Sequence, residues 1–264
     1  MVIRRDAAGV LAIGQPAHAW LCGQFARAWG NERFAAVKPL DDVALGAEQH
    51  DLGWAQRDQA PVFNPETGLP TTFLETPPEQ AFELWRHGPP RLIPQSRWAA
   101  LLATMHGRRL SEMRDLDGLA PEAAAVIATL REESHVRESQ LAAALESDPR
   151  HVAHNSNLLW FWDGLSLGLL LDWAPYTFKT VPTSRGGAVE VELRAVAERD
   201  GLPTLSLAPW PFADAAGIVV HTEGRRLAGP CTSAAELHAA WAQAPWEALQ
   251  FALVPAAPER RATR

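Results

Sequence analysis

In four stretches of this chain, apolar residues recur at helical spacing, and each apolar stripe is broken by an ionisable side chain. Residues 15–29 set His18, Leu21, Cys22, Phe25 and Trp29 on one face. After Pro39, with Asp41 or Asp42 as cap, Val43, Ala47, His50, Asp51 and Trp54 share a second face, and this helix is expected to end near Trp54. Ser96 caps a third helix that aligns Trp98, Leu101, Leu102, Met105, His106 and Arg109. A fourth, about 154–172, aligns Leu158, Leu159, Trp162, Asp163, Ser166 and Leu170. A buried carboxylate without a partner costs several kcal/mol, so Asp51 and Asp163 require a cation, a metal or a hydrogen-bond network. No Lys or Arg lies on these stripes apart from Arg109.

One histidine on an apolar stripe is ordinarily a hydrogen-bonded core residue; four stripes with the same interruption point to convergence. His18, His50, Asp51, His106 and Asp163 are therefore the expected ligands of one divalent cation or of two adjacent ones. Imidazole with carboxylate suits iron, manganese, zinc, nickel or cobalt. A structural metal site or a metal-free polar network would use the same residues.

Around these helices the chain reads as α+β. Short β-prone runs at 2–5 and 9–13 predict an N-terminal hairpin across Asp6-Ala7-Ala8. Residues 59–78 hold Pro61, Pro65, Pro70, Pro77 and Pro78 and are expected to form a long loop, either a rigid, proline-stapled surface loop, the reading preferred, or a lid bearing Asn64, Glu66 and Thr71 as substrate contacts. A short helix is expected at 79–86, and the Ala- and Glu-rich stretch 120–147 predicts a long one. Past Pro175, alternating runs at 189–193, 204–207 and 218–220 predict strands, with a turn at Glu223-Gly224, a helix at 233–243 and a strand at 247–254. The expectation is one α+β domain over 1–258: an all-helical core at 14–175, an antiparallel sheet built by 1–13 and 176–258, and a tail at 259–264.

Composition excludes several classes of function. With 24 Lys+Arg against 31 Asp+Glu, the net charge of -7 has the wrong sign for phosphate neutralisation, so no nucleic-acid partner is expected. Cys22 and Cys231 form neither a disulfide framework nor a thiolate zinc site. Arg4-Arg5 is not followed by a secretory apolar run, and Leu158–Leu171 falls short of the roughly 20 residues a membrane span needs. A cytoplasmic protein without membrane contact is expected, and nothing in the sequence sets an oligomeric state. Neither a dinucleotide-binding glycine motif nor a P-loop occurs, and Gly164-Leu165-Ser166-Leu167-Gly168 lacks the spacing of a serine elbow.

The order His18, His50-Asp51, His106, then Asp163-Gly164-Leu165-Ser166 resembles the HD superfamily of metal-dependent phosphohydrolases and its di-iron oxygenase branch, over roughly residues 15–172. The strings Glu48-Gln49-His50-Asp51-Leu52-Gly53-Trp54, Asn64-Pro65-Glu66-Thr67-Gly68, Met105-His106-Gly107 and Pro209-Trp210-Pro211-Phe212 resemble the domain-of-unknown-function 3891 family through nearly the whole chain. The superfamily resemblance implies an HD-like helical core in which His18, His50, Asp51 and Asp163 hold one metal and Asp51 bridges to a second. It implies catalytic roles for Asp51 and His106, the latter as a ligand of the second metal or a substrate contact. The further histidine of the two-metal pattern is not evident, because His135 lies in a polar helix and His151 and His154 flank the start of the last one. The reaction implied is hydrolysis of a small-molecule or nucleotide phosphate ester. Arg109 or Arg108 would neutralise the phosphate, only one of them able to face the site, with Asn64 a further contact. An iron-pair oxygenase and a non-catalytic metal- or ligand-binding protein are the alternatives.

Overall fold

The computed structural model describes residues 1–6 and 8–257. Ala7, in the turn expected between the first two strands, and the tail expected at 259–264 lie outside the described residues. Strands β1 (Val2–Asp6) and β2 (Gly9–Ile13) lead into helix α1 (Gln15–Ala28), which starts with a proline in its first turn. Helix α2 (Leu40–Gln49) stops before His50; Asp51 leaves helical geometry with φ -104 and ψ 20, a single 3-10 turn follows over Leu52–Trp54, and α3 (Ala55–Gln59) completes the corner. The helix expected to run to Trp54 is thus broken just before the His-Asp pair, and the break aims both side chains inward.

The segment 59–78 is not wholly irregular. It contains the hairpin of β3 (Phe63–Asn64) and β4 (Leu69–Pro70), and the Cys231 N–H donates to the Gly68 carbonyl at 2.7 Å. Helix α4 (Pro78–His87) and a 3-10 turn at Pro89–Leu92 precede α5 (Arg97–Glu112), whose N-terminus is capped by Ser96 Oγ accepting from the Ala99 N–H at 3.1 Å. Helix α6 (Pro121–Leu145) is followed by α7 (Pro149–Leu170), which begins earlier than its apolar pattern because Asp148 caps it and Pro149 opens it. His151 and His154 accordingly lie on α7.

The remaining elements are β5 (Tyr176–Pro182), β6 (Ala188–Arg199), β7 (Leu202–Ala208), β8 (Ile218–Leu227), α8 (Ala234–Gln243) and β9 (Trp246–Pro255). They correct the expected HD-like architecture. In place of an all-helical core with an antiparallel sheet, a seven-stranded half-barrel in the order β1-β2-β8-β9-β7-β6-β5 makes a large strand-rich part of the molecule. The sheet is mixed, since α8 carries the chain over so that β9 inserts between β8 and β7 and runs parallel to β7. The turn expected at Glu223-Gly224 does not form, and β8 continues through it, with Gly224 opposite Glu247. A Cβ on Gly224 would lie 2.8 Å from the Ala12 carbonyl oxygen, so the glycine serves close strand approach.

Helices and sheet share one apolar core in which Phe25, Trp162 and Leu165 pack with Val191, Leu193, Leu207, Val220 and Phe251. Burying each large side chain contributes about 1.5–3 kcal/mol. The Trp29 ring touches Phe34, Phe161, Trp162 and Phe212, tying the end of α1 to α7 and to the Pro209–Phe212 loop. Among the described residues, no helix is long and apolar enough to cross a membrane.

Candidate metal centre

Helix α1 supplies His18, the break after α2 supplies His50 and Asp51, α5 supplies His106, and α7 supplies Asp163. The first four are buried, and only the Asp163 side chain is appreciably exposed, at 13%. His18 Nε2 lies 3.1 Å from Asp51 Oδ2 and 3.5 Å from Asp163 Oδ1. His50 Nε2 lies 3.4 Å from Asp163 Oδ1 and 3.7 Å from Asp51 Oδ2. Ligands about 2.0–2.2 Å from a metal stand roughly 3.0 Å apart on an octahedral edge and about 3.4 Å apart on a tetrahedral one. His18, His50 and Asp163 thus form one group whose donor atoms all lie within 4.8 Å of one another, a spacing that suits a shared divalent ion. A second group of three, His50, Asp51 and His106, shares His50 with the first and also has donor atoms within 4.8 Å of one another.

Ring orientation supports the same assignment. Ser166 Oγ donates to the Asp163 carbonyl at 2.8 Å and lies 2.7 Å from His18 Nδ1, which turns Nε2 of His18 toward the carboxylates, 3.1 Å from Asp51 Oδ2. His50 Nδ1–H donates to the Ala47 carbonyl at 2.8 Å, and among the described residues its buried Nε2 has no hydrogen-bond partner. His106 Nδ1 is likewise buried and unpartnered, its ring centroid 4.5 Å from that of His50. Asp51 is held from behind, where Trp85 Nε1–H donates to Oδ1 at 2.7 Å and Gln15 Nε2–H to Oδ2 at 3.1 Å. Outer hydrogen bonds of this kind typically change metal affinity 10- to 100-fold when removed. Ser166→Ala is therefore expected to weaken metal binding by about that factor while leaving the fold intact, as read by titration against a metal-ion indicator.

Without an ion the cluster holds protons instead. Burial pulls the His50 pKa down, but the facing Asp51 and Asp163 carboxylates outweigh it and raise the value to about 9. Burial pushes Asp51 up, yet His50 and His18 carry it well below the ordinary carboxylate range; Asp163 is lowered in the same way, chiefly by His50. His106 drops to about 4 through burial and the charge of His50, and so is neutral at physiological pH.

These shifts fix the sign of a pH response in the chelator-stripped protein. A depressed His106 makes stability rise with pH between about 4 and 6.5, while a raised His50 contributes stability below 6.5 that is lost as pH climbs through about 9. The melting temperature of stripped protein should therefore fall from pH 7 to 9. Added zinc should abolish that fall, because the ion replaces the His50 proton.

The Arg109 guanidinium stacks 4.2 Å over the Trp160 ring and donates to Asn157 Oδ1 at 3.0 Å. Arg108 turns away and pairs with Glu138 and Glu112. Asn64 is not brought to the centre: its Oδ1 accepts from the Glu66 N–H at 2.9 Å and its carbonyl from the Gly68 N–H at 2.8 Å, so it builds the β3-β4 turn. Glu48 pairs with Arg27, and Asp58 accepts the Gln15 N–H at 2.5 Å, so both are committed elsewhere. His135 is exposed, and neither His151 nor His154 belongs to a donor group. Gln15 and Trp85 escape sequence reading as partners of Asp51; Gln15 carried a signal, lying three residues before His18 on the same helix face.

Of the five candidate ligands, Asp163 lines a large cavity, of about 750 Å³, whose wall also holds Arg109, Asn157, Trp160, Phe178 and Lys179. A second cavity, of about 580 Å³, lies over the sheet beside Trp20, His221, Arg225 and Trp246 and is lined by none of the five ligands.

Compared with known proteins, the chain matches one family model, protein of unknown function (DUF3891), over residues 1–228. No curated protein and no solved structure matches it.

Proposed function

The chain belongs to the DUF3891 family of proteins of unknown function, and from that premise we propose, on the chemistry of its centre, that it is a metal-dependent phosphohydrolase acting on a small-molecule phosphate ester. The observation that carries this reading is the convergence of His18, His50, Asp51, His106 and Asp163 in two groups of three, joined at His50, whose donor atoms lie within 4.8 Å of one another beside a cavity with cationic side chains. The order of the ligands along the chain also resembles that of HD-superfamily phosphohydrolases. Iron, manganese, zinc, nickel and cobalt all suit two imidazoles and two carboxylates. When bound, such an ion lowers the pKa of coordinated water toward neutrality and polarises a phosphoryl oxygen.

The protein's own residues do the rest. Arg109, fixed by Trp160 and Asn157, offers a planar fork of donors to phosphoryl oxygens and offsets their charge. Asp51, held by Trp85 and Gln15, keeps its Oδ2 aimed between His18 and His50. His106 stays neutral at pH 7 with an uncommitted Nδ1, able to accept a proton or a second ion.

The His50, Asp51 and His106 group favours one further reading, an oxygenase with two iron ions. Metal analysis of untagged, chelator-free protein together with hydrolysis of p-nitrophenyl phosphate tests both. Stoichiometric metal with chelator-sensitive hydrolysis is the expected result. Two irons per chain without hydrolysis, but with oxygen uptake, would favour the oxygenase. Protein that neither carries nor takes up any of the five ions overturns the metalloenzyme reading.

A further inference from the structure

The cavity that Asp163 enters is far larger than a phosphoryl group needs, and its lining sorts into two zones. The charged side chains on its wall are Arg109, Lys179 and Asp163, and Asp163 is already engaged by His18 and His50. Two cations with no other carboxylate select an anion. Within the described residues Arg109 commits a donor to Asn157 alone, which leaves most of its five N–H groups for an incoming anion.

The rest of the wall is apolar and organised. Ring contacts run in a file from mouth to interior: Trp173 to Tyr176 at 5.2 Å between centroids, Tyr176 to Phe178 at 4.9 Å, and Phe178 to Phe161 at 5.0 Å. At the mouth, Tyr176, Leu74 and Met113 are 43%, 69% and 68% exposed. Three large apolar side chains held in water around one opening are not the scattered surface residues of an ordinary protein. Uncharged polar side chains are sparse on the wall, chiefly Asn157, Thr177 and Thr180. A sugar and nucleobase buried there would leave hydrogen-bonding groups unpaired, at a cost for each. A volume of about 750 Å³ instead suits a ligand with a sizeable apolar body.

We propose that the substrate is a phosphomonoester whose organic part is a bulky, ring-bearing apolar body: the body lies along the Trp173, Tyr176 and Phe178 file, and the phosphoryl group meets Arg109 next to Asp163. The reaction in this statement rests on the hydrolase reading; the shape and polarity of the ligand do not. Hydrolysis would transfer the phosphoryl group to water, breaking the ester P–O bond and releasing a hydrophobic alcohol or phenol with inorganic phosphate.

Isothermal calorimetry on the zinc-supplemented protein tests the ligand class with probes that cannot turn over: 1-naphthylphosphonate, methylphosphonate, the 5′-phosphonate of adenosine, and 1-naphthol. The naphthyl compound is expected to bind about thirty-fold more tightly than methylphosphonate, from the apolar area it buries. Arg109→Gln and the exposed Lys179→Gln should each weaken both phosphonates, Arg109→Gln by about tenfold, and leave 1-naphthol unchanged. Equal affinity for the naphthyl and methyl phosphonates, or adenosine phosphonate binding as tightly as the naphthyl compound, overturns the proposal. Hydrolysis of 1-naphthyl phosphate separates the two readings. Selective binding without turnover leaves the ligand class standing and removes the hydrolase, whereas turnover of phosphate esters regardless of their organic part does the reverse.

Discussion

The His50→Ala, Asp51→Ala double variant should leave purification without its metal and hydrolyse phosphate esters at least about 10³-fold more slowly than the parent, yet remain folded. The double change is more informative than either single one. His50 and Asp51 compensate each other inside a buried cluster, the imidazole raised to about 9 by the carboxylates and the carboxylate depressed by the imidazole. Removing one member of a buried ion pair costs about 3–5 kcal/mol because its partner is left uncompensated, whereas removing both leaves only the cost of the vacated volume. His18 still faces Asp163 at 3.5 Å in the double variant, so the remaining carboxylate keeps a partner. Metal content by plasma mass spectrometry, read beside a thermal melt, separates loss of the site from loss of the fold. A variant that keeps both its ion and its rate would remove His50 and Asp51 from the centre.

That these residues converge is visible in the sequence, because a period of 3.6 places His18, His106 and Asp163 on faces otherwise filled by Leu, Phe and Trp. Ionisable groups on core stripes are costly alone, so helical periodicity and desolvation together locate the donor set. Arg109 is legible for the same reason, since a helix turns by about 100° per residue and puts it, not Arg108, on the stripe of His106. Less could be read where contacts span distant segments. Trp85 meets Asp51 only because α4 docks on the corner after α2, and no local pattern encodes that docking. The place of β9 between β8 and β7 depends on where α8 carries the chain, so the sheet read as antiparallel from its strands is mixed. Strand β5, which carries Tyr176 and Phe178 to the cavity, follows Pro175 and ends on Pro182, and the usual meaning of prolines as breakers masks its alternation. Asn64 was misleading because the Asn-Pro-Glu-Thr-Gly string has the composition of a binding loop and the hydrogen bonds of a turn.

Gly53→Ala should be the most damaging single-methyl change near the site, with an expected stability loss of at least about 3 kcal/mol and loss of bound metal with it. The reason is not backbone dihedral freedom but contact. A Cβ at Gly53 would run into the Leu84 carbonyl, and it would also lie 3.4 Å from the Cα of Gly88. Backbone on both sides leaves no flexible side-chain end to move aside. The adjacent Trp54 is fully buried and packs edge-on against Trp85, with ring centroids 5.3 Å apart. The corner therefore relaxes only if α4 withdraws, and α4 carries the Trp85 indole that donates to Asp51. Thermal melts with and without zinc distinguish the two parts of this effect. If Gly53 matters only for packing, zinc should restore little of the lost stability and the affinity of whatever folds should be unchanged. If the corner positions Asp51, the folded fraction should also bind zinc about tenfold or more weakly, the loss expected when a ligand's outer hydrogen bond is removed, and Trp85→Phe should reproduce the weakened binding without the loss of stability.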